Sequence, residues 1–164
     1  MNAAWDVAVR PIAPGDVAAA RALLLSNDGA ASYAGGAVYH LHCAAGLEGS
    51  NTDACALVAV HGSAVVGVVV CGDVGGATGT GKLHGVAVSP SQRRNGVGVK
   101  LCEAAAQLLI ARGARLIVAE LPDDATLLPV ARVLEHCGWH EEARIDDFVR
   151  DGVALRLLRF EAAM

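Results

Sequence analysis

Apolar and polar positions follow one another along this chain in blocks whose period changes. Trp5 to Arg10 alternates as a short strand, and Pro11 to Pro14 closes it. Gly15 or Asp16 then caps a helix predicted over Val17–Leu25, with Val17, Ala20 and Leu24 on one face and Ser26-Asn27-Asp28-Gly29 as its stop. Ala30 to Ser50 is rich in Ala, Gly and His and carries only a weak helical pattern, around Val38–Ala45. From Ala54 the pattern turns to β-rich runs, Ala54–His61 and Ala64–Cys71, separated by the tight-hairpin signal Gly62-Ser63. A glycine-rich connection, Asp73 to Gly81, leads to a strand over Leu83–Val88, which Pro90 ends because it cannot donate a ladder hydrogen bond.

The second half is more regular. Gly96–Arg112 reads as a helix with Val97, Leu101, Ala104 or Ala105, and Leu108 on one face and Gly113 as its stop. Leu116-Ile117-Val118-Ala119, within Arg115–Glu120, is apolar throughout, as expected of a central parallel strand. Asp123 or Asp124 caps a helix over Ala125–Cys137, with Pro129 tolerable only in its first turn and Gly138 beyond its end. Arg144–Arg150 and Val153–Phe160 flank Asp151-Gly152, a type I′ hairpin signal. The order β, α, weak α, three strands, α, β, α and a closing hairpin predicts an α/β fold with a mixed sheet. No repeat or linker interrupts it, and 164 residues fit one domain with one core over 1–164.

Composition narrows the function classes. A formal charge of −4 and a pI near 5.8 argue against a general nucleic-acid binder. Cys43, Cys55, Cys71, Cys102 and Cys137 form no CxxC pair and read as reduced thiols, so a cytoplasmic protein is expected. The first ten residues lack the basic start and apolar run of an export signal, and no uninterrupted apolar run is long enough to span a membrane.

The chemistry concentrates in Val86-Ala87-Val88-Ser89-Pro90-Ser91-Gln92-Arg93-Arg94-Asn95-Gly96-Val97-Gly98: a strand, a proline, a basic glycine loop and the start of a helix. Free N–H groups at a helix N-terminus, with small residues and two arginines, suit a diphosphate. These residues resemble the GCN5-related N-acetyltransferase (GNAT) superfamily, whose motif (Gln/Arg)-x-x-Gly-x-(Gly/Ala) follows a strand ending Val-x-Pro. Val88-Ser89-Pro90 and Arg93-Arg94-Asn95-Gly96-Val97-Gly98 match it, and Leu134-Glu135-His136-Cys137-Gly138-Trp139 is similar to the family's helix ending in Gly-Phe.

The resemblance implies a mostly antiparallel mixed sheet flanked by helices and acetyl-CoA as co-substrate, with no metal. The backbone donors of Arg94, Asn95, Gly96, Val97 and Gly98 and the charges of Arg93 and Arg94 would hold the pyrophosphate. Val86, Ala87 and Val88 would pair with the pantetheine arm as an added strand would, and a backbone N–H near them would meet the oxyanion. It further implies direct attack by a primary amine, of a small molecule or a peptide, within a ternary complex. Dimers are common in the family, so a homodimer is compatible with it. Neither nucleic acid nor membrane is an expected partner.

Many family members carry a Glu in the strand before the loop, and His84 stands at the matching position, spaced by two from Val86 and Val88. An ordinary imidazole titrates near ~6.5 and can accept a proton through water. The alternative is a histidine that fills a polar gap on a strand face. The family's frequent general acid, a Tyr four residues before the Gly-Phe pair, is replaced here by Leu134, and Leu127 and Leu128 stand where an Asn is expected. This leaves Cys137, His136, solvent or no acid at all, and keeps open a catalytically weak acyl-CoA-binding sensor of the same fold. Tyr33, Tyr39, His40 and His42 are candidates for the acceptor side, with Asp146 and Asp147 to hold a cationic amine. Gly76-Ala77-Thr78-Gly79-Thr80-Gly81-Lys82 mimics a P-loop, but Leu83 stands where a Ser or Thr must hold Mg²⁺ and a strand follows in place of a helix. His40-Leu41-His42-Cys43 and His136-Cys137-x-x-His140 lack a closed zinc spacing.

Overall fold

A computed structural model describes residues 6–26, 33–48 and 53–163. Trp5, Asn27-Asp28-Gly29 and the rest of the Ala30–Ser50 stretch outside 33–48 lie beyond them. Seven strands form one sheet: β1 (Val7–Pro11), β2 (Ala54–His61), β3 (Ala64–Asp73), β4 (Thr80–Val88), β5 (Leu116–Pro122), β6 (His140–Arg150) and β7 (Val153–Glu161). Their order is β1-β2-β3-β4-β5-β7-β6, and every neighbouring pair is antiparallel except β4 and β5. The sheet is thus mixed and mostly antiparallel, as the element order predicts. Among the described residues, no helix is long and apolar enough to cross a membrane.

Among the described residues, four α-helices cover the two faces: α1 (Val17–Leu25) and α2 (Gly35–Ala44) on one, α3 (Val97–Ala111) and α4 (Leu128–His136) on the other. Because strand side chains alternate between faces, each face has its own core. Under α1 and α2 lie Ala20, Leu24, Ala37, Leu41, Val58, Val68 and Val70. The larger core, under α3 and α4, includes Leu57, Val69, Leu83, Leu101, Leu109, Ile117, Leu134 and Leu158. The buried stripe of α3 runs through Val97, Leu101, Ala105 and Leu109, with the expected Leu108 only half-buried at its margin.

Several boundaries differ from expectation for reasons of packing. β4 begins at Thr80 rather than Leu83, because Gly81 is a strand residue whose missing side chain makes room for Leu109 of α3, 2.9 Å from where a Cβ would stand. α2 starts three residues before Val38. β6 starts at His140 rather than Arg144, carried by its pairing of His140 with Arg159 and Glu141 with Leu158. The β6–β7 hairpin forms around Asp151-Gly152, but only Gly152 has a positive φ, 77°, so its turn is not type I′. Gly152 N–H instead donates to Asp147 Oδ1 at 2.8 Å, which fixes the turn from β6.

Gly85 sets how closely α2 approaches the sheet. A Cβ there would stand 2.8 Å from Ala37 Cβ, an atom that moves only with its helix. Gly85→Ala is therefore expected to push α2 outward and destabilise the fold by roughly 1–3 kcal/mol, read as a lower midpoint in urea or thermal unfolding.

Candidate active site

β4 and β5 pair only over Thr80–Leu83, opposite Leu116–Ala119, and then part. Beyond the fork, β5 remains paired with β7, and β4 remains paired with β3 through Gly85, Val86, Ala87 and Val88. Among the described residues, the β5-facing edge of that part of β4 therefore has no ladder partner. Ser89 N–H donates to Val66 O on β3 at 2.8 Å. Main-chain groups alternate sides along a strand, so Ala87 turns its pair to β3, while Val86 and Val88 present theirs to the gap. Consistent with this, Val88 O accepts from Arg93 Nε at 3.4 Å.

At the outer end of the gap, α3 begins with Gly96 as N-cap, left-handed at φ 76°, and no side chain caps its first turn. Arg94 is also left-handed, at φ 67°. Alternation of backbone handedness turns successive N–H groups into one anion-binding concavity. The first bond of the helix ladder is Lys100 N–H to Gly96 O, 3.0 Å, so the N–H groups of Val97, Gly98 and Val99 precede it. Val97 anchors the turn by burying its side chain, whereas Arg93, Arg94, Asn95 and Gly96 are exposed. Gly98 would bring a Cβ to 3.4 Å from Val133 of α4, ordinary contact for one methyl and too close for more. The loop thus offers donors, positive charge and little steric cover.

At the inner end stands His84. The β3–β4 register steps from Cys71↔Leu83 to Val70↔Gly85, so His84 is the extra residue of a β-bulge. A strand without the bulge would give His84 the same face as Val86 and Val88. The bulge overturns that: Val86 and Val88 pack toward the α3 core, while His84 turns to the α2 face and stacks on His40, ring centroids 3.7 Å apart and planes 15° from parallel.

The two imidazoles line a cavity of about 270 Å³ together with Asp53, Ala54, Gly72–Gly75 and Lys82. Lys82 forms an ion pair across the fork with Glu120, 3.1 Å. His40 Nδ1 is buried without a hydrogen-bond partner among the described residues. Burial, then the charges of His40 and Lys82, bring the His84 pKa down to about 4, and burial and Lys82 lower that of His40. His84 is therefore neutral, with a lone pair to offer, at any pH well above 4. Its site does not favour a stored proton, unlike the near-6.5 titration of an unperturbed imidazole.

A stability consequence follows with a definite sign. Between the unfolded value of about 6.5 and the folded value near 4, the unfolded chain binds the proton and the folded chain does not. Acidification through that window is expected to lower Tm. His84→Gln should flatten that slope in a Tm-against-pH series.

Other candidates are otherwise engaged. Tyr33 Oη donates to Asp124 Oδ2 at 2.9 Å, and Arg150 pairs with the same carboxylate oxygen at 3.1 Å. The stretch before α2 is thereby joined to the β5–α4 connection and to the end of β6. Tyr39 is exposed and meets His40 edge-on, and His42 Nδ1 contacts Glu48 at 3.2 Å. Asp146 pairs with Arg144, and Asp147 accepts the Gly152 N–H; the carboxylates that line the cavity are those of Asp53 and Asp73, and Asp73 is paired with Arg112 at 2.8 Å. Asp53, Asp73 and Glu120 carry no functional signal in the sequence, and Lys82 only that of the P-loop mimic, for these groups meet only across strands. Among the described residues, no group of three or more His, Cys, Asp or Glu side chains could hold a metal ion.

The model of the acetyltransferase (GNAT) family matches residues 28–139. The chain belongs to the GNAT acetyltransferase family. Solved structures agree in fold. A protein from Desulfovibrio desulfuricans described as a GNAT-family acetyltransferase superposes with TM-score 0.82 at 24% identity, over 96% of this chain and 99% of that one. An aminoglycoside 6'-N-acetyltransferase complexed with coenzyme A gives 0.75 at 16% identity, over 94% and 96%. The IAA acetyltransferase from Bacillus cereus gives 0.70 at 16%, over 96% and 100%. No curated protein sequence matches this chain.

Within this GNAT chain, Leu134, which the sequence resemblance sets against the family's Tyr, is buried in the α3-side core, where a hydroxyl would lose its solvent. Gly138 follows α4, and Trp139 is buried with its ring centroid 5.8 Å from that of Phe160.

Proposed function

We propose that this GNAT protein is an acetyl-CoA-dependent N-acetyltransferase that moves the acetyl group to a primary amine by direct attack in a ternary complex. The observation that carries this reading is the β4–β5 fork: an unpaired strand edge running from a helix-N-terminal anion cradle at one end to a histidine-lined cavity at the other. The pyrophosphate of the co-substrate would take N–H groups of Arg94, Asn95, Gly96, Val97 and Gly98 with Arg93 and Arg94 as counter-charges. Its pantetheine arm would pair with Val86 and Val88, which brings the thioester back toward His84.

The acceptor enters from the cavity. On its wall Asp53 would face a cationic amine, while Asp73 is paired with Arg112 and Lys82 with Glu120. The amine, once neutral, attacks the carbonyl carbon as the C–O π pair moves onto oxygen, and the N–H of Val86 or Val88 stabilises that oxyanion. Collapse expels the CoA thiolate, and the proton of the acetylated nitrogen passes to His84, directly or through water. A group whose proton affinity is held this low relays the proton onward and does not store it. With Leu134 in place of a Tyr, thiolate leaves without a side-chain acid, which a thiol's modest pKa allows.

Leu134 also favours a second reading, acyl-CoA binding without turnover. Thiol release from acetyl-CoA over a panel of small amines, polyamines and peptides separates the two. Amine-dependent release supports the transferase, and tight CoA binding with no acceptor turned over supports the sensor.

A further inference from the structure

On the sheet face opposite the cavity, β2 and β3 set two of the five cysteines directly across from each other. The register pairs Cys55 with Cys71. Antiparallel partners stand about 4.5–5.5 Å apart at Cα, within the roughly 4.4–6.8 Å that a disulfide spans. Both turn toward α3, Cys71 inside the core and Cys55 packed against its edge.

The two thiols differ sharply in surroundings. Cys71 is wholly buried. Cys55 is half-buried, and Arg112, at the C-terminal end of α3, donates from Nη1 to its Sγ while Asp73 holds Nη2 at 2.8 Å. A hydrogen bond from Cys71, with the nearby Arg112 charge, outweighs burial and brings the Cys55 thiol down to about 7. The same hydrogen bond and burial push Cys71 the other way, and burial pushes Cys102 up to about 12. Low proton affinity, an adjacent guanidinium and partial exposure are the conditions of a reactive thiolate, and a second thiol within bonding reach is that of a resolving partner.

We propose that Cys55 and Cys71 are a peroxide-reactive thiol pair, with Cys55 the attacking thiolate and Cys71 the resolving thiol of a reversible cross-strand disulfide. The Cys55 sulfur attacks one oxygen of hydrogen peroxide and the O–O bond breaks. Cys55 becomes a sulfenic acid, and the released hydroxide takes a proton to leave as water. The Cys71 sulfur then attacks the Cys55 sulfur, its proton goes to the departing hydroxyl, and a second water leaves as the S–S bond forms. Two thiols are oxidised and one peroxide is reduced to two waters. A dithiol reductant reverses the step. Arg112 positions and stabilises the thiolate, and closing the disulfide releases it to Asp73 alone.

The test is peptide mapping by mass spectrometry of the full chain after stoichiometric hydrogen peroxide at pH 7. The expected product is a Cys55–Cys71 linked peptide two hydrogens lighter than its reduced parts, restored by dithiothreitol, with Cys43, Cys102 and Cys137 still alkylatable. In Cys71→Ala, dimedone should trap the sulfenic acid on Cys55. Arg112→Met should slow iodoacetamide labelling of Cys55 at pH 7 about tenfold and move the midpoint of its pH–rate profile upward. Absence of the linked peptide, even oxidation of all five cysteines, or a wild-type midpoint at the ~8.5 of a free thiol overturns the proposal. The wild-type map and labelling profile decide it even if Cys71→Ala does not fold.

Discussion

Gly96→Val raises the KM for acetyl-CoA about 30- to 100-fold while the protein stays folded. Gly96 has a φ of 76°, which a β-branched residue adopts only with strain of about 1–2 kcal/mol. A Cβ there meets nothing within 4 Å, so the variant has no clash to resolve and relieves its strain by turning the loop. Turning it misaligns the N–H donors proposed to meet the charged diphosphate, each such bond worth roughly 1.5–3 kcal/mol. Losing the geometry of one or two of them accounts for the expected factor, at about 1.4 kcal/mol per tenfold. Steady-state kinetics with the co-substrate varied and acceptor saturating reads the effect, and a thermal melt reads the fold. An unchanged KM would remove the α3 N-terminus from the binding site.

His84→Ala lowers kcat at pH 7–8 by about 10²-fold, at the lower end of what a positioned proton acceptor contributes. His84 stands at the point where β4 leaves β5 and faces the cavity. Because its pKa lies near 4, the wild-type rate should show no inflection near pH 6.5, and the alkaline rise should follow the amine's own ionisation. His84→Gln, which keeps an acceptor atom in the stack with His40, should retain more activity than His84→Ala. Wild-type turnover by His84→Ala at pH 7–8 would reduce His84 to a filler of the bulge.

The outer half of the candidate site is more legible in the sequence than the inner half, and the reason is range. Pro90, the two arginines and Gly96-x-Gly98 act within a dozen residues, through local dihedrals and a helix start, so their consequence is visible in one stretch. The face of His84 depends on a bulge that only the pairing with Val70 and Cys71 reveals. A count of two from Val86 accordingly assigns the wrong side. The stack on His40 needs Gly85 to admit α2, an event between residues more than forty positions apart. The same holds for Cys55 and Cys71, which read as separate small hydrophobes until the β2–β3 register sets them opposite one another. Elements with a strong period, such as α3 and β5, were legible nearly to their ends. Strand starts dictated by a neighbour, β4 at Thr80 and β6 at His140, were not.

A crystal structure with acetyl-CoA bound tests the fork most directly. The expected complex has the pyrophosphate within about 3 Å of N–H groups between Arg94 and Gly98, the pantetheine paired with Val86 and Val88, and the thioester beside His84 at the mouth of the cavity. A co-substrate seated elsewhere, with the gap between β4 and β5 empty, would contradict it.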